Sequence, residues 1–347
     1  MSAASAALVD LRSDTVTRPT PAMQAAMAAA PLGDDVFGDD PSVNALQADL
    51  AQRLGFEAAL FMSSGTQSNL CALMSHCQRG DEYLVGQMAH TYRWEGGGAA
   101  VLGSIQPQPV AHAPDGSLPL DELRANIKPD DPHFARTRLL TLENTIGGQV
   151  LPLDYLAQAA ALAREHGLGH HLDGARLFNA AVALQAADPW AMARQICSHF
   201  DSVSVCFSKG LGAPVGSMLC GSTELIGRAR RWRKMLGGGL RQAGGLAAAA
   251  HHALDHHVHR LSQDHDLARR LFEGLSGVPG LRVQLPQTNI VFADLAEPAR
   301  AAGLLPYLRE RGVLATGLYR LRFVTHLDVN EAGVDRAVAA VRDYLGA

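Results

Sequence analysis

Residues 58–74, A-A-L-F-M-S-S-G-T-Q-S-N-L-C-A-L-M, decide the fold class. The short apolar run 58–62 reads as a buried strand, the small polar residues that follow as a turn, and the rest as the opening of a helix. The same alternation recurs along the chain in E-Y-L-V-G (82–86), A-A-V-L-G (99–103), R-L-L-T-L-E-N (138–144), helical Y-L-A-Q-A-A-A-L-A-R-E-H (155–166), L-G-H-H-L-D-G (168–174) and S-V-S-V-C-F (202–207). Short strands separated by helices predict an α/β fold whose mostly parallel sheet is covered on both faces. Upstream, D-P-S-V-N-A-L-Q-A-D-L-A-Q-R-L (40–54) has a cap residue, a first-turn proline and apolar Val43, Leu46, Leu50 and Leu54 at helical spacing, and it predicts a helix.

Past about residue 245 the character changes. An Ala- and His-rich helical stretch precedes R-V-Q-L-P-Q-T-N-I-V-F-A-D-L (282–295), a helical L-L-P-Y-L-R-E-R-G (304–312) and L-R-F-V-T-H-L-D (321–328). That order predicts a smaller α+β domain at 249–347, following a large domain with its N-terminal segment at 1–248. The 347-residue length suits two units with a cleft between them.

The net charge of −4 provides no basic face for nucleic acid. No stretch approaches the roughly 18 apolar residues of a membrane span, and the first residues lack a basic segment followed by an apolar one. A cytoplasmic protein is expected. Five cysteines, Cys71, Cys77, Cys197, Cys206 and Cys220, are odd in number and scattered among apolar residues, so they are expected to be reduced core residues. No metal is expected: His76 with Cys71 and Cys77 lies on an apolar helical stretch. His251, His252, His256, His257 and His259 have no accompanying carboxylate or cysteine pattern in the sequence.

Three features carry chemistry. In F-S-K-G-L-G-A-P-V-G (207–216) a strand delivers Lys209 into a glycine-rich turn, a setting that an imine-forming lysine requires; an exposed loop lysine would look the same in isolation. Asp173 ends the apolar strand in H-H-L-D-G-A-R (170–176), a costly place for a carboxylate unless it meets a cation. That cation could be a protonated pyridine nitrogen, which lets the ring of pyridoxal 5'-phosphate act as an electron sink. A helix cap or a pair with Arg176 are the alternatives. Ser64-Gly65-Thr66-Gln67 opens a helix, where free N–H groups and the helix dipole favour a phosphate. Neither G-x-G-x-x-G nor G-x-x-x-x-G-K-[ST] follows a strand here, which counts against a nicotinamide dehydrogenase or a nucleotide triphosphate enzyme.

Seven ordered segments carry a family resemblance: V-D-L-R-S-D-T-V-T-R-P (9–19), G-D-D-V-F-G-D-D (33–40), G-T-Q-S-N (65–69), H-L-D-G-A-R-L-F-N-A (171–180), S-K-G-L-G-A-P-V-G-S (208–217), R-W-R-K-M-L-G-G-G-L-R-Q (231–242) and R-F-V-T-H-L-D (322–328). The chain resembles the low-specificity L-threonine aldolases, lyases of fold type I, the aspartate aminotransferase-like pyridoxal phosphate enzymes. The resemblance implies Lys209 as the Schiff-base lysine, Asp173 at the pyridine nitrogen, Gly65, Thr66 and Arg241 at the phosphate, and His90 stacked on the ring as a base or water-positioning group. It implies Ser13, Arg176 and Arg322 at the substrate carboxylate, Arg322 being favoured over Arg320 by motif register alone. A homo-oligomer, a dimer or a tetramer built as a dimer of dimers with shared sites, is implied too, with Arg241 reaching a neighbouring subunit's site.

The implied reaction is retro-aldol cleavage of threonine, allo-threonine and related β-hydroxy-α-amino acids to glycine and an aldehyde. A β-eliminating lyase, an aminotransferase, a racemase and a catalytically silent binding protein of this fold are the rivals. Two residues depart from the family pattern: Ile146 stands where a histidine is frequent and Phe37 where a tyrosine is common, so two polar groups are missing near the expected substrate.

Overall fold

The computed structural model describes residues 8–184, 187–317 and 320–347. Residues 1–7, the first half of the N-terminal stretch in which no leader pattern is expected, lie outside them. In chain order the strands are β1 (Val9–Asp10), β2 (Ala58–Met62), β3 (Asp81–Gly86), β4 (Gln106–Val110), β5 (Arg136–Glu143), β6 (Gly169–Gly174), β7 (Ser202–Cys206), β8 (Ser217–Gly221), β9 (Leu281–Val283), β10 (Ile290–Leu295), β11 (Val313–Leu314) and β12 (Leu321–Val324). The main sheet has the order β2-β8-β7-β6-β5-β3-β4. Its pairings are parallel except that β8 runs antiparallel to both β2 and β7. β2, β3, β5, β6 and β7 therefore end at one edge, where the turns after a parallel sheet collect functional groups.

Three local readings differ from expectation. The apolar 99–103 run belongs to a short helix, Gly98–Val101, opened by the left-handed Gly97. β4, Q-P-Q-P-V, was not anticipated because proline is rare in strands. It lies at the sheet edge with Pro107 and Pro109 two residues apart, so both missing N–H groups fall on the same side. β8 was hidden because it only returns beside β7 across the Lys209 turn.

Among the described residues, two apolar cores are the largest. The first contains sheet residues such as Phe61, Leu84, Leu142, Leu172 and Val203, and the helices against them. The second joins the three-stranded sheet β12-β10-β9 to the helices Leu261–Leu275, Pro298–Glu310 and Glu331–Leu345. The expected division at 248/249 falls inside the helix Gly244–His256, whose Ala247, Ala249, Ala250, Ala253 and Leu254 all pack in the first core. The N-terminal segment goes the other way: Val9 and Leu11 pack in the second core, and β1 pairs with β11. Its apolar residues are too few to show a destination from spacing.

The helix Gly65–His76 starts where β2 ends and is buried from Gln67 to Ser75. Its first residue must be small, because a Cβ on Gly65 would lie 2.7 Å from Cys206 Sγ at the end of β7. Behind it, Arg233 and Asp35 form an ion pair at 2.9 Å with side chains only 3 % and 2 % exposed, and Arg233 also donates to the Phe61 carbonyl at 2.8 Å. Removing one partner strands a buried charge. Asp35→Ala is expected to lower the unfolding free energy by about 3–5 kcal/mol in urea titrations. Glu165→Ala, which breaks the exposed pair with Arg124, should cost under about 1 kcal/mol.

Candidate active site

The carboxyl edge of the sheet holds Asp173, Lys209 and Arg176. Asp173 is the penultimate residue of β6, and Glu143, the last of β5, is its register partner. Lys209 follows β7 by three residues, and Arg176 and Lys209 line one small cavity with Cys206.

The Lys209 turn is held by its carbonyls. Thr17 Oγ1 donates to the oxygen of Lys209 at 3.0 Å, Arg260 to that of Gly210 at 3.3 Å, and His257 Nδ1 to that of Leu211 at 2.7 Å. The turn closes with Gly212 N–H on the Lys209 carbonyl at 2.8 Å, at a φ of +80° that favours glycine. His257 thus serves the site from the histidine-rich stretch, a role that sequence spacing could not show.

Ser64 caps the helix Gly65–His76 by accepting from Gln67 N–H, which leaves the N–H groups of Gly65 and Thr66 without partners inside the helix. They suit a phosphate oxygen. Arg241 is half-exposed and donates to Asp34 at 3.1 Å; no described contact ties its guanidinium to Gly65 or Thr66.

Ser13, Arg176 and Arg322 are brought together by the N-terminal segment. Arg176 donates from Nε and Nη2 to the two oxygens of buried Asp14, at 2.8 and 2.6 Å, and Arg322 Nη2 donates to the Arg12 carbonyl at 3.0 Å. Ser13 Oγ approaches Asp14 at 3.5 Å. Burial pushes the Asp14 carboxyl up, yet the charge and hydrogen bonds of Arg176, with Lys209 and Asn289, hold it well below the usual carboxylate range. The Nε of Arg322 is buried with no hydrogen-bond partner among the described residues. A guanidinium with an unused donor beside Arg176 fits an incoming carboxylate. Arg320 is spent elsewhere, on Asp294 at 2.7 and 2.8 Å.

His90 sits beyond β3, with its backbone N–H on Glu143 Oε2 at 2.7 Å and its Nδ1 bonded to Glu95 Oε1 at 2.8 Å. The Glu95 hydrogen bond holds the imidazole above its ordinary range. Asn69 donates to both Glu95 and Asp173, at 2.9 and 2.8 Å. Sequence reading missed Asp14, Asn69, Glu95 and Glu143. Of these, only Glu143 carried a signal, as an acid ending an apolar strand. Ile146 is buried, with Cγ2 against Gly116, and Phe37 is 77 % exposed.

Among the described residues, two groups of three ligand-type donors cluster: His90 with Glu95 and Asp173, whose atoms are already tied by the His90–Glu95 bond and by Asn69, and His251 with Asp49 and Asp255. The second shows that carboxylates do accompany the histidine stretch in space, Asp49 coming from the helix Pro41–Leu54. Arg53 already bonds both of its carboxylates, at 2.9 and 2.8 Å.

Burial, and then the charge of Asp173, push the Glu143 carboxyl up to about 7. A carboxyl raised on folding contributes stability that is full below the ordinary glutamate value and lost as pH rises through the folded one. Relative to Glu143→Gln, the wild-type protein should therefore lose unfolding free energy between about pH 4 and pH 7, measured by denaturant titration at several pH values.

A model of the beta-eliminating lyases matches residues 10–298. The chain is 53 % identical over 338 residues to the low specificity L-threonine aldolase of Escherichia coli K12, covering 97 % of this chain and 99 % of that protein. It is 42 % identical to the probable low-specificity L-threonine aldolase 2 of Arabidopsis thaliana, covering 94 % of each. Among solved structures, a Leishmania major threonine aldolase superposes with a TM-score of 0.81 at 22 % identity, over 97 % of this chain and 99 % of that one. A Sphingomonas wittichii serine palmitoyltransferase does so at 0.76 and 20 % identity, over 97 % and 87 %. The architecture is that of fold type I, the aspartate aminotransferase-like enzymes. By these matches the chain belongs to the beta-eliminating lyase family and, within it, to the low-specificity L-threonine aldolases.

Proposed function

We propose that this protein cleaves L-threonine, L-allo-threonine and related β-hydroxy-α-amino acids to glycine and an aldehyde, using pyridoxal 5'-phosphate. The observation that carries the reading is the convergence of Lys209, Asp173 and the Arg176–Arg322 pair at one sheet edge. Lys209 Nζ would hold the cofactor's aldehyde carbon, Asp173 its ring nitrogen, and the N–H groups of Gly65 and Thr66 its phosphate. When bound, the cofactor supplies an acceptor for the electron pair released as the Cα–Cβ bond breaks.

The chain's own groups do the rest. Ser13, Arg176 and Arg322 fix the substrate carboxylate, which sets how the Cα–Cβ bond is presented. Burial, and then the charge of Arg176, lower the pKa of Arg322, so an anion arriving there relieves an unfavourable pair. His90 keeps Nδ1 on Glu95, which leaves Nε2 to exchange a proton with the β-hydroxyl or a water beside it. Lys209 Nζ would be the group that holds the cofactor in the resting protein.

Ile146 and Phe37 withhold two polar groups from the substrate's β-substituent in this reading, which favours bulky or aromatic aldehydes. We also infer a homo-oligomer, a dimer of dimers in which half-exposed Arg241 reaches the phosphate of a neighbouring subunit. A cytoplasmic location is supported by five buried, unbridged cysteines; no described helix is long and apolar enough to cross a membrane.

Two measurements test the reading. Lys209→Ala should lose the near-visible absorbance of lysine-bound cofactor, and retention of that band sinks the assignment. Wild-type protein given threonine, allo-threonine and phenylserine should release glycine and aldehyde from all three, fastest from phenylserine. Keto acid instead would mean elimination or transamination, and a strong preference for threonine over both others would refute the apolar-pocket reading.

A further inference from the structure

Beneath the residues that would touch cofactor runs a chain of buried polar side chains with no part in the steps above. Asn69 Nδ2 donates to Asp173 Oδ2 at 2.8 Å and to Glu95 Oε1 at 2.9 Å, and the same Glu95 oxygen accepts from His90 Nδ1. With both amide hydrogens given to carboxylates, the atom 3.3 Å from His171 Nε2 is the amide oxygen, and His171 carries its proton on Nε2. His171 Nδ1 then accepts the Ser202 hydroxyl proton at 2.8 Å, and His76 Nε2, 2.7 Å from the same oxygen, is the donor. Burial pushes His171 well down and His76 down to about 4, so both stay neutral at physiological pH and the direction of every bond holds.

We propose that Asn69 is a positioning residue that couples the protonation of His90 to the carboxylate of Asp173. The proposal rests on the reading of Asp173 and His90 as the groups at the ring nitrogen and the ring face. Its physical basis is competition. Two buried carboxylates share one NH2 group that His171 prevents from turning, so a charge change at either alters how strongly the other is solvated. Glu143 faces His90 and Asp173, Tyr83 faces Glu95, and Lys209 and Arg176 lie with Asp173 around Cys206. All five would be unchanged in the variants below.

The test is the titration of the His90 imidazole by nitrogen NMR in the full-length protein, with and without pyridoxal 5'-phosphate. Glu95→Gln removes the anion that holds the ring's proton, and the proton affinity should fall about tenfold. Asn69→Ala leaves Glu95 and Asp173 without their shared donor, and the affinity should rise by a similar factor. A purely structural role for Asn69 predicts the opposite sign, because a loosened site returns His90 toward its ordinary lower value. Should Asn69→Ala fail to fold, Asn69→Ser, whose short hydroxyl cannot donate to both carboxylates, takes its place with the same expected rise. Unchanged or lowered His90 affinity in whichever Asn69 variant folds overturns the proposal. These titrations need no turnover, so their failure is distinct from failure of the aldolase reading, which the Lys209→Ala spectrum and the products decide.

Discussion

Asp14 accepts two hydrogen bonds from Arg176, which follows β6 on the first core, and one at 3.3 Å from Asn289, which precedes β10 in the second. It sits on the segment whose Val9 and Leu11 pack into that second core. A fully buried carboxylate tolerates this place only with its partners present, so the pair fixes how the two cores meet. Arg322, Ser13 and Lys209 take their positions from that join: Arg322 bonds the Arg12 carbonyl, and Thr17 bonds the Lys209 carbonyl. The Arg176–Arg322 region and the lysine turn are therefore two ends of one clamp.

Around the clamp the site keeps like charges close. Glu143, Asp173 and Glu95 are three carboxyl groups within electrostatic reach of His90. They are kept compatible by different means: a raised proton affinity at Glu143, a shared amide at Asn69, and a short bond from His90 to Glu95. Unpaired acids in such a space would repel and draw in water. Burial raises the proton affinity of both Glu143 and Glu95, which brings carboxyl groups closer to the range where acid–base chemistry near neutral pH operates.

The α/β alternation was legible because a strand buried on both faces must be a short apolar run and its covering helices must repeat at helical spacing. Lys209 and Asp173 were legible for the same reason, each being a polar residue placed where an apolar strand ends. β4 and the helix Gly98–Val101 were not. Two prolines hide an edge strand, and four small residues carry no period.

The sequence alone determined the fold class, the family and which residue types stand at the sheet's carboxyl edge, because those follow from local periodicity and ordered motifs. Only the tertiary structure decided who touches whom across the chain. It gave Asp14 to Arg176, His257 to the Lys209 turn and Asn69 to two acids 26 and 104 residues away. Hydrogen bonds between side chains far apart in sequence leave no spacing to read. Their partners are chosen by how the sheet and the second core bring the segments together.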